Sequence, residues 1–248
     1  MRRLVLTLTS VLFALALLVP RAAWAKSGSS IGDPLRLEVK NAPDAFFYKP
    51  RVKGTRPVLM YLHGRGGRPA EDCRKWARVA TQFGWVVCPS GPGDNGAGGR
   101  TWANGAADAQ RIIDATLEAL RAKYKGRVQR RNNVLIGFSE GAFVAMQVGL
   151  KDQRTWSKWL ILGASDQYWA GGEVTQALDR AKRKVQRIYL LTGENDGVKQ
   201  ATQRVGEVLK KLKVPVRVRI VAGMGHEVPS DRMISTYRRP LLWLAAAK

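Results

Sequence analysis

Six short apolar runs, at residues 58–62, 85–88, 134–136, 159–162, 188–191 and 216–221, constrain this chain more than any other feature. Each has the length of one strand. Read as continuous runs, they fit strands covered on both faces, which calls for a parallel sheet with helices on each side. Two earlier stretches differ. Leu35, Leu37 and Val39 alternate, the run 45–48 follows, and both suit antiparallel strands ahead of Pro50. Between the runs the spacing turns helical. Segment 107–124 sets Ile112, Ile113, Thr116, Leu117 and Leu120 on one side, and segment 198–212 does the same with Val205, Val208, Leu209 and Leu212. Strand and helix therefore alternate, which predicts an α/β fold: a doubly wound, mostly parallel sheet with antiparallel strands at its N-terminal edge. In such sheets ligands meet the chain beyond the carboxyl ends of the strands.

The chain has 248 residues, 45% of them hydrophobic, enough for one substantial core. Residues 1–25 stand apart. Arg2 and Arg3 precede the apolar stretch 4–19, and Pro20 and then Ala23-Trp24-Ala25 follow, the order of a secretory signal peptide. An uncleaved membrane anchor is the alternative, since the stretch approaches the roughly 20 residues that span a bilayer, but Pro20 and the Ala-x-Ala pattern suit a peptidase better than a helix continuing into lipid. The expectation is cleavage near Ala25, a secreted or periplasmic location and no stable membrane span afterwards. A polar leader at 26–34 is expected to be flexible, and 35–248 to form a single domain.

Export bears on Cys73 and Cys88, which are 15 residues apart. They are either a disulfide or two buried thiols, and an oxidising compartment favours the bridge. Two cysteines and two histidines give no metal-binding spacing, so no metal and no cofactor is expected. Net charge is +23, and loss of Arg2, Arg3 and Arg21 leaves +20. Such a surface attracts anionic polymers in a salt-dependent way. The cations look scattered, over 121–131, 180–187, 210–213 and Arg217 with Arg219, which reads as a solvated surface with at most weak association with anionic envelope polymers. No nucleic-acid module signature accompanies them.

The chemistry centres on Gly137-Phe138-Ser139-Glu140-Gly141, which follows the run 134–136 and precedes a helix-compatible stretch. This is G-x-S-x-G in a strand–turn–helix context. Glycines on either side let the chain turn tightly enough to lift a serine above the sheet, with a helix amino end behind it. Serine needs a base, most often histidine. Outside the leader only His63 and His226 exist; His63 belongs to an earlier strand end, and His226 lies in Gly223-Met224-Gly225-His226-Glu227, directly after the last run. His226 is thus the candidate base. For the carboxylate that orients it, Asp196 in Thr192-Gly193-Glu194-Asn195-Asp196-Gly197 is favoured over Glu194 and Asp166, and the order Ser139, Asp196, His226 follows.

These motifs, with His63-Gly64-Arg65-Gly66-Gly67, give the chain from about 35 to 244 a pattern that resembles the α/β-hydrolase superfamily. Within it, the chain is similar to small secreted esterases related to dienelactone hydrolases, phospholipase/carboxylesterases and polyhydroxyalkanoate depolymerase-like proteins. The resemblance implies a serine carboxylic ester hydrolase working through an acyl-enzyme. It also implies an oxyanion hole from the backbone N–H of Glu140 and that of Arg65, or of Gly64, with the His63 side chain bracing the loop. Glu140 must then turn its charge away from the oxyanion. Arg65 and Arg68 add positive charge near the mouth.

About 25 residues separate the runs at 159–162 and 188–191, room for a loop and a helix but no lid domain, so an open cleft is expected. The glycine-rich stretch 91–99 is read as a mobile loop edging it. Trp102, Tyr168 and Trp169 are candidate lining residues for a small or polymeric ester substrate. A peptidase or amidase of the same fold is the rival enzyme, and a non-catalytic cationic envelope-binding protein the rival outside catalysis.

Overall fold

The computed structural model describes residues 31–103, 105–165, 172–181 and 184–247. The predicted signal peptide, most of the leader, Asp166, Tyr168 and Trp169 lie outside the described residues. Elements follow in the order β1 (Leu35–Leu37), β2 (Ala45–Tyr48), β3 (Val58–Leu62), α1 (Pro69–Ala80) and β4 (Trp85–Cys88). Then come β5 (Gly93–Asp94), β6 (Arg100–Thr101), α2 (Ala106–Lys123), β7 (Val134–Phe138), α3 (Glu140–Lys151) and β8 (Lys158–Leu162). The chain closes with α4 (Gly172–Ala181), β9 (Arg187–Gly193), α5 (Lys199–Lys211), β10 (Val216–Val221) and α6 (Met233–Ala245).

Eight strands form one sheet in the order β1-β2-β4-β3-β7-β8-β9-β10. β1, β2 and β4 pair antiparallel, and from β4 to β10 every pairing is parallel. The antiparallel edge is where the sequence places it. The continuous apolar runs have a simple cause: neighbouring residues of one strand enter two separate cores. Val58, Met60 and Leu62 of β3 pack with Ile112 of α2, Val144 of α3 and Val205 of α5. Leu59 and Tyr61, between them in sequence, pack on the other face with Trp76 of α1 and Tyr237 of α6. An alternating strand would leave one of these layers without apolar contacts.

Two expectations need correction. β10 is not covered on both faces: it is the outer strand, all six of its residues retain exposure, and Arg217 and Arg219 interrupt its valines. The stretch 91–99 is not a free loop either. It enters a hairpin, with Gly93 opposite Thr101 and Asp94 opposite Arg100. The Arg100 side chain pins this hairpin by donating to the carbonyls of Gly91 at 2.9 Å and Pro92 at 2.8 Å.

Cys73 on α1 and Cys88 at the end of β4 form a disulfide, with Cα atoms 5.7 Å apart. Both are fully buried. Helix α4 fills part of the interval between β8 and β9, and no lid domain is present among the described residues. No described helix is long and apolar enough to cross a membrane.

Candidate active site

Ser139 sits between the last residue of β7 and the first of α3, at φ +54° and ψ −118°. A non-glycine residue in that region carries strain of about 1–3 kcal/mol, so the surroundings must impose it. They do so through crowding. A Cβ on Gly137 would run into the carbonyl of Gly141 and stand 2.7 Å from the Cα of Ala142. One on Gly141 would strike the carbonyl of Leu62 and stand 2.5 Å from that of His63. Both glycines of the motif are therefore required by backbone packed against backbone. The Ser139 N–H is fixed on the carbonyl of Leu162, the last residue of β8, at 3.0 Å.

Two more strand ends deliver the partners. β9 runs into Asp196 and β10 into the turn before His226. The loops are laced together: Glu194 N–H donates to Val221 O and Asn195 N–H to Met224 O, each at 2.9 Å. His226 Nε2 then lies 2.9 Å from Ser139 Oγ, and its Nδ1 3.0 Å from both carboxylate oxygens of Asp196. Of the rival carboxylates, Glu194 faces elsewhere and accepts from Gly223 N–H at 3.1 Å. Asp166 is outside the described residues.

Asp196 is buried, whereas the His226 side chain is 40% exposed. Burial by itself raises the Asp196 pKa. Hydrogen bonds from Thr192 Oγ1 at 2.6 Å and Val198 N–H at 2.9 Å, with His226 beyond them, outweigh it and hold the carboxyl below its ordinary range. The group stays ionised although burial opposes its charge. Phe138 packs on the His226 ring at 4.8 Å between centroids. Gly163, at the end of β8, lies under the ring, where a Cβ would stand 2.9 Å from His226 Cε1.

The His63 loop stands on the other side of Ser139, since a Cβ on Gly64 would be 3.3 Å from that of Ser139. His63 is buried at 1% exposure. Its Nε2 accepts from Gly91 N–H at 3.0 Å, which leaves Nδ1–H to donate to Gly64 O at 2.7 Å. Desolvation lowers its pKa, so the ring is a neutral brace. Arg65 extends from the same loop, with its guanidinium 3.2 Å from Glu140 Oε1. The Glu140 carboxylate points back into the protein, accepting from Thr101 Oγ1 at 2.9 Å and Trp102 N–H at 3.0 Å. Burial raises its pKa, and those donors with Arg65 reverse the effect and keep it low.

A cleft of about 320 Å³ opens over Ser139 and His226, walled by Arg65, Phe143, Met146, Ser165 and Val198. Trp102 is not in that wall, which corrects the expectation from sequence. It is fully buried, stacked on His63 at 5.1 Å and donating its indole N–H to His63 O at 3.0 Å. Phe143 and Met146 were open to prediction, because they lie three residues apart on the helix that follows the serine. Gly163 and Thr192 left no signal in the sequence; only the folded chain brings them under the histidine and aspartate.

The phospholipase/carboxylesterase family profile matches residues 45–238. The chain belongs to this family. Solved structures share its fold at low identity. A fluorophosphonate-binding serine hydrolase of Staphylococcus aureus, FphF, aligns with a TM-score of 0.63 and 16% identity over 85% of this chain and 96% of its own. A carboxylesterase of Bacillus cereus aligns at 0.56 and 18%, over 81% and 92%. Dipeptidyl peptidase 4 of Porphyromonas gingivalis aligns at 0.60 and 17%, over 87% of this chain and 35% of its own. No curated protein sequence gives a significant match. Family and fold together make the protein an α/β-hydrolase superfamily member of the esterase kind.

Proposed function

We propose that the protein is a serine hydrolase that cleaves carboxylic esters through an acyl-enzyme. The observation that carries this is the 2.9 Å approach of His226 Nε2 to Ser139 Oγ on a strained turn. His226 takes the hydroxyl proton as the oxygen attacks the ester carbonyl, and Asp196 fixes the Nδ1–H tautomer and stabilises the imidazolium. The backbone N–H groups of Glu140 and Arg65 hold the oxyanion, aided by the amino end of α3. The proton then passes to the departing alcohol, and water repeats the sequence to release the acid. A cleft of about 320 Å³ with Phe143 and Met146 in its wall suits a short acyl group.

Family membership favours esters over amides. Hydrolysis of p-nitrophenyl butyrate tests the reading: Ser139→Ala should lower kcat at least about 1000-fold with the fold intact. Retained turnover in that variant, or preference for the matched anilide over the ester, contradicts it. The leader sequence, together with a disulfide between Cys73 and Cys88, supports export to an oxidising compartment with cleavage near Ala25.

A further inference from the structure

We propose that the face opposite the catalytic cleft binds acidic polysaccharide chains. Residues 49–56 and 121–131, distant in sequence, lie side by side at the amino ends of β3 and β7. Arg56 N–H donates to Arg127 O at 3.0 Å, Gln129 N–H to Arg56 O at 2.9 Å, and Thr55 Oγ1 to Gly126 O at 2.6 Å. The first segment carries four cations and the second six, and neither contains an aspartate or glutamate. Eight of these ten residues are exposed, Arg56 and Arg121 being half-buried. None of the ten forms an ion pair among the described residues. Asp114, Glu118 and Asp152 act on Arg121 only from beyond pairing distance. Ten of the charges that look dispersed along the chain thus share one face after folding.

Like charges held within a Debye length raise the local concentration of anions. Three of them, Arg121, Lys125 and Arg130, line a concavity of about 700 Å³, whose wall also includes Thr55 and Gln129. Thr55 Oγ1 and Gln129 Nε2 donate to the carbonyls of Gly126 and Arg131, which leaves the oxygens of both side chains to accept from the hydroxyls of a polymer whose carboxylates meet the cations. A nucleic acid would gain from an aromatic platform. Tyr124, the ring in this wall, is covered by Lys49 at 5.4 Å and packed on Trp85 at 4.6 Å. A lipid surface would call for several apolar side chains to insert, and Val52 is the one large apolar side chain strongly exposed in the two segments. β3 and β7 each span five residues, which puts this face on the order of 15 Å from the catalytic end of the sheet. The surface therefore retains the enzyme on a polymer without entering its chemistry.

The test is retention on immobilised polygalacturonate at about 0.1 M salt, where charges this close are only partly screened. The wild type should be held and eluted by added salt. Lys49→Gln/Arg51→Gln/Lys53→Gln and, separately, Lys123→Gln/Lys125→Gln/Arg130→Gln should each bind about tenfold more weakly. Lys210→Gln/Lys211→Gln/Arg239→Gln removes the same charge from other exposed positions and should bind as the wild type does. Turnover of p-nitrophenyl butyrate, unchanged in all three variants, reports an intact fold, and either patch variant suffices if the other misfolds. Equal weakening in the control variant overturns the proposal, as does absence of retention. Tighter binding to single-stranded DNA or to phosphatidylglycerol vesicles than to polygalacturonate also overturns it. Because the readout is retention, failure of the esterase reading would leave this result standing.

Discussion

At φ +59° and with His226 Cε1 2.9 Å from where a Cβ would be, Gly163 gives the imidazole the space it occupies. Gly163→Ala should push the ring off its line to Ser139 Oγ and lower kcat about 100-fold, with far-ultraviolet circular dichroism unchanged. Wild-type kcat in that variant would show that the ring tolerates displacement. Thr192 acts on the other partner. In the folded protein Asp196 ionises more readily than in the unfolded chain, so it contributes stability above its unfolded pKa of about 3.9 and loses it as the pH falls through the lower folded value. Thr192→Val removes one of the donors responsible. It should cost about 1–2 kcal/mol at neutral pH by urea unfolding, and the deficit should shrink as the pH falls through the lowered folded value. A deficit that persists unchanged in acid would mean that packing, rather than the carboxylate, is at stake. Ser139, His226 and Asp196 could be picked out in the sequence because serine between spaced glycines, and a chain with two histidines, leave few choices. Gly163 and Thr192 could not, since ordinary strand ends carry such residues for many reasons.

At the scale of elements, the disulfide joins α1 to β4 across a separation of 15 residues. Closing a loop of that length contributes about 3 kcal/mol through the unfolded chain. The double variant Cys73→Ser/Cys88→Ser should therefore lower Tm by about 10 °C, read by calorimetry against the oxidised wild type. An unchanged Tm would indicate that burial alone holds the pair. The runs at 58–62, 134–136 and 188–191 were legible as parallel strands because each feeds two cores. β10 was misleading: an outer strand has one covered face, and its arginines at 217 and 219 carried that information. The stretch 91–99 was misleading for a different reason. Its glycines suggest freedom, but what orders it is a distant set of contacts, Arg100 on Gly91 and Pro92, and Gly66 N–H on Arg100 O at 2.8 Å. Trp102 follows from the same hairpin, which turns it into the core beside His63.

For the whole molecule, the sequence disclosed the size of the charge and hid its arrangement. Distribution along the chain suggested dispersal, and only the pairing of the segments before β3 and β7 gathers ten cations on one face. The leader is the other feature of this scale. If cleavage follows Ala25, intact-mass measurement of protein from the producing cell should give a chain that begins at Lys26, with net charge reduced from +23 to +20. A mass that retains residues 1–25 would contradict export by cleavage. The proposed hydrolysis, however, rests on His226 making Ser139 nucleophilic. Treatment with a fluorophosphonate followed by peptide mass mapping tests it most directly. One adduct should form, on Ser139, and be lost in His226→Ala; ester hydrolysis that continues with Ser139 unmodified, or an adduct on another residue, would rule this chemistry out.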